Sequence, residues 1–183
     1  MPIVISVPAL EGLLELGENN VVAQVAGDAC LLYLQEWMQN LDDTKPNKMG
    51  GDRTHFWKTL GDGITLKVIP GTAELEIQSP FLYLWQGGTI YAKDKLLTVP
   101  ARAEAHGHSA GDFAGLLHFG IFRSTGSKFL ADKDGGIFYW LCPSVTYGGD
   151  PSVMPSDEQI SDVAVNAIGN WWITRLEMDS GFN

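Results

Sequence analysis

The hydrophobic positions of the chain change period along its length. Over 18–40, Val22, Ala26, Ala29, Tyr33 and Trp37 recur at three- and four-residue spacing and share one face, which predicts an amphipathic helix. Gly17-Glu18-Asn19-Asn20 offers cap chemistry before it, and the polar run 40–43 is where it should end. From Gly63 the period becomes two. Ile64, Leu66 and Val68 alternate with Thr65, Lys67 and Ile69, and Ala73, Leu75 and Ile77 alternate with Glu74, Glu76 and Gln78. Pro70-Gly71 between the two runs suits a tight turn, so the segment reads as a β-hairpin with one polar face. The apolar stretch 80–85 fits a buried helical turn or a strand equally well. Further strands are expected at 96–99, 116–122 and 137–142, joined by glycine-rich connections over 105–115 and 124–136. The segment 143–155, with Gly148-Gly149 and three prolines, reads as loop. A short β-branched run, Ile3-Val4-Ile5-Ser6-Val7, opens the chain and is limited by Pro8.

The last helix is the most sharply marked element. Ser156-Asp157-Glu158-Gln159 forms a capping box with acids in the first turn, where the helix dipole favours them. Ile160, Val163, Ala164, Ala167, Ile168, Trp171 and Trp172 then trace an apolar stripe, so the helix should span about 156–178. Helix, antiparallel strands and helix in that order define an α+β fold: an antiparallel sheet packed by an N-terminal and a C-terminal amphipathic helix, with long loops. A single domain is expected over 1–183, with a mobile loop at about 42–55, where Pro46 and Gly50-Gly51 interrupt any period.

Composition narrows the function classes. At 183 residues with 45% apolar and 19% charged side chains, the chain can fill a core without a disulfide or metal staple. Cys30 and Cys142, far apart and set among apolar neighbours, read as buried hydrophobes rather than as a disulfide or a nucleophile. Twelve basic residues against 22 acidic ones give a net charge of −10, and the basic ones do not cluster, so direct nucleic-acid binding is not expected. No apolar run approaches the ~20 residues of a membrane span and no signal-like segment opens the chain, so no membrane partner is expected and a cytoplasmic chain is.

The candidate chemistry is thin. His106-Gly107-His108, followed by Asp112 and His118, is the one constellation that could bind a metal, because an H-x-H on a strand puts two imidazoles on one face. Cupins carry a similar H-x-H with a following acid, but that motif has Glu where this chain has Asp112 and Gly where it has Pro100. Ala105, Ser109, Ala110 and Gly111 around the histidines suit a loop better than a strand. A small metal-dependent, cupin-like enzyme using His106, His108, Asp112 and His118 therefore stands as an alternative to the main reading. No nucleophile elbow, phosphate-binding glycine loop or apolar-embedded carboxylate pair occurs. No catalytic residue and no cofactor are assigned. The six tryptophans are the remaining anomaly: they fill a core, or they anchor contacts with another protein, as in a β-rich binding module.

Three short segments, in order, add a resemblance. Gly50-Gly51-Asp52-Arg53-Thr54-His55-Phe56-Trp57 joins a glycine pair to an Arg-Thr-x-Phe run after the first helix. Tyr83-Leu84-Trp85-Gln86-Gly87-Gly88-Thr89-Ile90 sets aromatics before a Gln-Gly-Gly-x-Ile stretch, and Leu97-Thr98-Val99-Pro100-Ala101-Arg102 ends in Pro-Ala-Arg. With the Met154-Pro155-Ser156 approach to the last helix, these resemble the phage virion morphogenesis family, the tail-completion proteins of Mu-like phages and prophages. Trp85 departs from the histidine commoner there, and the stretch after Arg102 is unusually rich in His and Gly. The resemblance implies a non-enzymatic structural protein that acts in tail completion and head–tail joining. Its partners would be further copies of itself, in a homo-oligomeric ring, and other phage tail or neck proteins. It would reside in the host cytoplasm during assembly and then in the virion. Arg53, Phe56, Trp57, Trp85, Gln86, Gly87, Gly88 and Arg102 would contribute to subunit or tail contacts. Gly87-Gly88 would permit close backbone approach or positive φ, and Arg102 would pair with a carboxylate within the subunit or across an interface.

Overall fold

The computed structural model describes residues 3–5, 19–45, 53–77 and 81–179. Its elements are β1 (Ile3–Ile5), α1 (Asn19–Thr44), α2 (Phe56–Asp62), β2 (Thr65–Ile69), β3 (Thr72–Glu76), α3 (Phe81–Trp85), β4 (Gly88–Tyr91), β5 (Leu97–Pro100), β6 (His118–Ile121), β7 (Lys128–Ala131), β8 (Ile137–Cys142), β9 (Ser144–Tyr147) and α4 (Asp157–Asp179). The fold is α+β with a long helix near each end, as the sequence predicts. All strand pairing is antiparallel and divides into three sheets, with strand orders β1-β3-β2, β4-β9 and β5-β8-β7-β6.

Helix α1 is the spine. It packs against α4, α2 and the β2–β3 hairpin. Its buried line is Val22, Ala26, Cys30, Leu34, Met38 and Leu41, with Ala23 beside it. That line is rotated from the predicted face: Val22 and Ala26 hold, whereas Ala29, Tyr33 and Trp37 sit at its flank, half-buried. The reason is contact from two sides at once, which favours the small or flexible Cys30, Leu34 and Met38 along the centre and leaves the large rings at the rim. Trp37 uses that rim position, its indole Nε1 donating to the Val153 carbonyl at 3.1 Å. Fully burying side chains such as Leu34 and Met38 is worth roughly 1.5–3 kcal/mol each.

Two glycines set how close the neighbours come. A Cβ on Gly27 would meet Leu66 Cδ1 at 2.7 Å and Ala73 Cβ at 2.9 Å, so its absence lets the hairpin lie directly on α1. A Cβ on Gly61 would meet Met38 Cβ at 2.9 Å, and its absence does the same for α2. The hairpin pairs Ile69 with Thr72 around Pro70-Gly71, where Gly71 has φ 75, as the turn chemistry predicts.

Helix α4 starts as its capping box requires. Ser156 N donates to Gln159 Oε1 at 2.9 Å and Gln159 N to Ser156 Oγ at 3.2 Å. Ile160, Ala164 and Ile168 are buried against α1, with Trp171 and Trp172 half-buried at the edge of the same cluster. The ambiguous apolar stretch is helical over Phe81–Trp85, with Phe81 in the core.

Several elements depart from expectation. Helix α1 runs on to Thr44, so the first residues assigned to a mobile loop at 42–55 are helical; 46–52, including Gly50 and Gly51, lie outside the described residues. Helix α2 and strands β4, β7 and β9 were not foreseen. Each is short, and β7 and β9 lie between glycines or prolines that outweigh their strand content in a local reading. Cys142 is half-buried rather than buried; Cys30 is fully enclosed, its thiol 3.7 Å from the Ile160 carbonyl and pushed up to about 11 by burial.

Candidate interaction surface

Two of the segments singled out by sequence meet around the C-terminus of α1. Arg53 lies alongside that end: its guanidinium donates to the Asp42 and Asp43 carbonyls at 3.0 Å each, satisfying acceptors that the helix leaves open. His55 follows with φ 49 and ψ 36, the one non-glycine residue in the left-handed region among those described. Its Nδ1 lies 2.8 Å from Asp42 Oδ2. Asp42 is the single buried charged or polar residue among those described, at 6% exposure. Its other oxygen accepts from Lys58 N at 3.3 Å, and the carboxylate also accepts from the Trp57 N–H. These are the open donors of the first turn of α2, so a carboxylate from the end of α1 caps α2 across space. Burial raises the Asp42 pKa. The bonds from His55 and from the Lys58 and Trp57 amides outweigh it, holding the carboxyl below 3.8.

Phe56 and Trp57 are half-buried against the core, their rings edge to face at 5.2 Å. Lys45 Nζ sits 6.0 Å from the Trp57 ring centroid and 2.6 Å from Asp150 Oδ2. Asp150 in turn donates its backbone N–H to Leu84 O at 2.7 Å and Trp85 O at 3.2 Å. Lys45 and Ser152 hold the Asp150 carboxyl down at about 2. A chain of contacts thus joins the Arg53–Trp57 segment to the Trp85–Gly88 segment through Lys45 and Asp150.

Trp85 stacks on Phe81 at 6.3 Å and is half-buried; Gln86 is exposed. Gly87 and Gly88 have φ 80 and 136, so the expectation of positive φ holds. The close approach is internal: a Cβ on Gly87 would meet Tyr147 O at 2.9 Å, and one on Gly149 would meet Gly87 N at 2.8 Å. Two glycine turns therefore lie backbone against backbone, beside the β4–β9 pair.

Arg102 belongs to another part of the surface. It pairs within the chain, with Glu104 Oε1 at 3.0 Å and Asp132 Oδ2 at 3.2 Å, and lies 4.6 Å over the Phe138 ring. The loop that follows it returns to the first segment, where a Cβ on Gly107 would stand 3.0 Å from Thr54 Cγ2. The buried Tyr139 hydroxyl pins this loop to β8, lying 3.0 Å from the His108 carbonyl and 3.3 Å from that of Ala105.

The histidines are not assembled into a metal site. His108 Nδ1 is 3.9 Å from Asp112 Oδ2, and that same oxygen accepts from Ser109 N at 2.7 Å as half of a local capping box. His118 stands on β6, exposed. Among the described residues no three His, Cys, Asp or Glu side chains are grouped to hold a metal ion. Nor is any helix among them long and apolar enough to cross a membrane.

Sequence reasoning missed Lys45, Asp150 and Asp42, the residues that tie these segments together. Lys45 and Asp150 are far apart in sequence, and both fell in stretches read as loop. Glycine pairs mark both meeting turns, Gly87-Gly88 and Gly148-Gly149, but Gly50-Gly51 and Gly135-Gly136 occur as well, so the pairs alone do not tell which turns meet.

The structure defines the class: an α+β protein in which the Arg53–Trp57 and Trp85–Gly88 segments form a polar and aromatic junction at the end of the central helix. Comparison of the chain with protein-family models, curated proteins and solved structures found no match in any of the three.

Proposed function

We propose that this chain is a non-enzymatic structural protein of a phage or prophage virion that acts in tail completion and head–tail joining through oligomeric assembly. The observation that carries this reading is the convergence of the resembling segments. Arg53–Trp57 and Trp85–Gly88 are joined by the Lys45–Asp150 pair, and the loop after Arg102 abuts Thr54. Two of the three segments thus share one surface, as contact residues would, and the third leads into a loop at its margin. The packing also separates two roles among them. Arg53, Gly87 and Arg102 are satisfied inside the chain and shape the surface, whereas Gln86 and the flanking Tyr91 and Tyr147 are exposed and available to a neighbour. Assembly partners are further copies of the chain and tail or neck proteins.

Native mass spectrometry across a range of concentrations tests the reading, because one spectrum reports oligomer mass and bound metal. A metal-free oligomer is expected. A monomer carrying one tightly bound transition metal overturns it and makes His106, His108 and Asp112 the site to pursue.

A further inference from the structure

Among the described residues strand β6 is an outer strand of the four-stranded sheet, and its open edge is apolar. Phe119 and Ile121 are 55% and 51% exposed, with Leu116 and Phe122 exposed beside them. Two of the other outer strands carry the usual protection against pairing: Lys67 projects from β2, and β5 ends at Pro100. Strands β4 and β9 carry neither, but only two residues of each are exposed, against three of four in β6. Strand β6, His-Phe-Gly-Ile, has neither charge nor proline, and the irregularity in this sheet lies at Leu130/Ala131, on the far side of β7.

We infer that this edge pairs with the same edge of a second copy, antiparallel, about a twofold axis at Gly120. Phe122 N donates to Ser127 O at 2.9 Å, so the backbone groups of Phe122 face β7, and by alternation those of Gly120 and His118 do as well. The N–H and C=O groups of Phe119 and Ile121 therefore face outward. A twofold axis at Gly120 sets Phe119 opposite Ile121 of the second copy and satisfies both outward pairs reciprocally. The two side chains share one face of the strand, so each copy lays a phenyl ring against the other's isoleucine. On the opposite face Gly120 meets Gly120, where the Phe129 ring already covers the strand and a side chain would not fit.

Charge favours the same occupant. The chain carries a net −10, yet no acidic residue lies between Asp112 and Asp132, and that stretch holds Arg123 and Lys128. Two copies meeting here bring no carboxylates of this stretch together. In the twofold register Arg123 falls opposite Leu117 of the second copy, so like charges do not meet. The exposed parts of Leu116, Phe119, Ile121 and Phe122 offer roughly 400 Å² per copy, which with paired backbone gives about 1,000 Å² in all. That is the low end of a specific interface, so the dimer should dissociate on dilution.

This contact deepens the assembly reading and rests on it only for its biological purpose; the pairing is tested on the purified chain. Sedimentation velocity from about 5 to 500 µM reads the dimer, and amide hydrogen exchange by NMR at both ends of the range reads the contact. The expected result is a concentration-dependent dimer in which the Phe119 and Ile121 amides slow by about tenfold or more at high concentration. The Gly120 and Phe122 amides, already bonded to β7, should change far less. Phe119→Lys and Ile121→Lys should each weaken the dimer by about tenfold or more while the urea midpoint stays near that of the parent chain. A monomer at every concentration overturns the strand pairing and leaves the assembly reading to heterologous partners. An oligomer in which the Phe119 and Ile121 amides exchange freely also overturns it, and sends assembly to the surface around Trp85 and Gln86.

Discussion

Removing the Asp42 carboxylate should unhinge α2 from α1, and the size of the loss can be worked from its bonds. The side chain caps two first-turn amides, Trp57 and Lys58, and holds His55 in a left-handed conformation. Losing an N-cap costs about 0.5–2 kcal/mol, and a hydrogen bond to a charged group about 1.5–3 kcal/mol. The strain at His55 is then unsupported, so α2 relaxes rather than holding its place, which limits the total. Asp42→Ala should therefore lose about 2–4 kcal/mol. Asp42→Asn keeps an acceptor and should lose about 1–2 kcal/mol. Asp43→Ala, one residue on and exposed, is the control and should stay within about 0.5 kcal/mol. Urea unfolding with linear extrapolation measures all three, and in thermal unfolding Asp42→Ala should melt roughly 5–12 °C lower. The pH dependence gives a second reading. The folded-state pKa of Asp42 lies below its ordinary 3.8, so its contribution is complete above that value and is lost as pH falls through the folded pKa. Asp42→Asn should flatten that part of the acid limb. Asp42→Ala losing no more than Asp43→Ala, or an acid limb unchanged in Asp42→Asn, would refute the capping role.

Two further outcomes follow from the glycine turns and from the Lys45–Asp150 pair. Gly87→Ala should cost at least about 2 kcal/mol in urea unfolding, because alanine is strained at φ 80 and its Cβ would press on Tyr147 O. Gly148→Ala, with open space around it and no positive φ, should stay within about 0.5 kcal/mol, and equal losses in the two would refute the packing argument. In an NMR titration the Asp150 carboxyl should titrate near 2 in the parent chain and move up toward 3.8 in Lys45→Ala; an unmoved midpoint would show that Lys45 does not hold it.

The sequence was most legible where local chemistry and tertiary packing agree. The α4 capping box, the Pro70-Gly71 hairpin and the strand over Ile137–Cys142 all carry their own signals, in a cap, a turn and a continuous apolar run. Legibility fell where a third partner decided the outcome. Period alone placed the face of α1 on Trp37 because large rings weigh heavily in an apolar pattern. The actual face follows Cys30, Leu34 and Met38, since helices on two sides demand small and flexible residues at the centre. Helix α2 has no cap of its own, because its first-turn amides are satisfied by Asp42 from another helix; a sequence reading cannot see such a cap. Strands β7 and β9 hold only four residues each, and their neighbours in the sheets, not their sequences, make them strands.

The same distinction governs the site. Residues that stood out by type or motif, Arg53, Gly87, Gly88 and Arg102, prove to be held or required by this chain's own packing. A motif preserved for folding and a motif preserved for contact look alike in sequence, because both demand a particular residue type at a particular place. Structure separates them by asking whether the demand is met internally. Arg102 meets two carboxylates and a ring; Gly87 meets the Tyr147 and Gly149 backbone. Among the described residues Phe119 and Ile121 meet nothing comparable on their open edge, although by sequence they are unremarkable members of an apolar strand. What makes them candidates for contact is the position of β6 at the end of the strand order. That position follows from the pairing of β7 with β8, two elements away, and no local pattern encodes it. Contact residues of this chain are therefore to be sought among the unremarkable residues that topology leaves at an edge, more than among the motif residues that its own packing already uses.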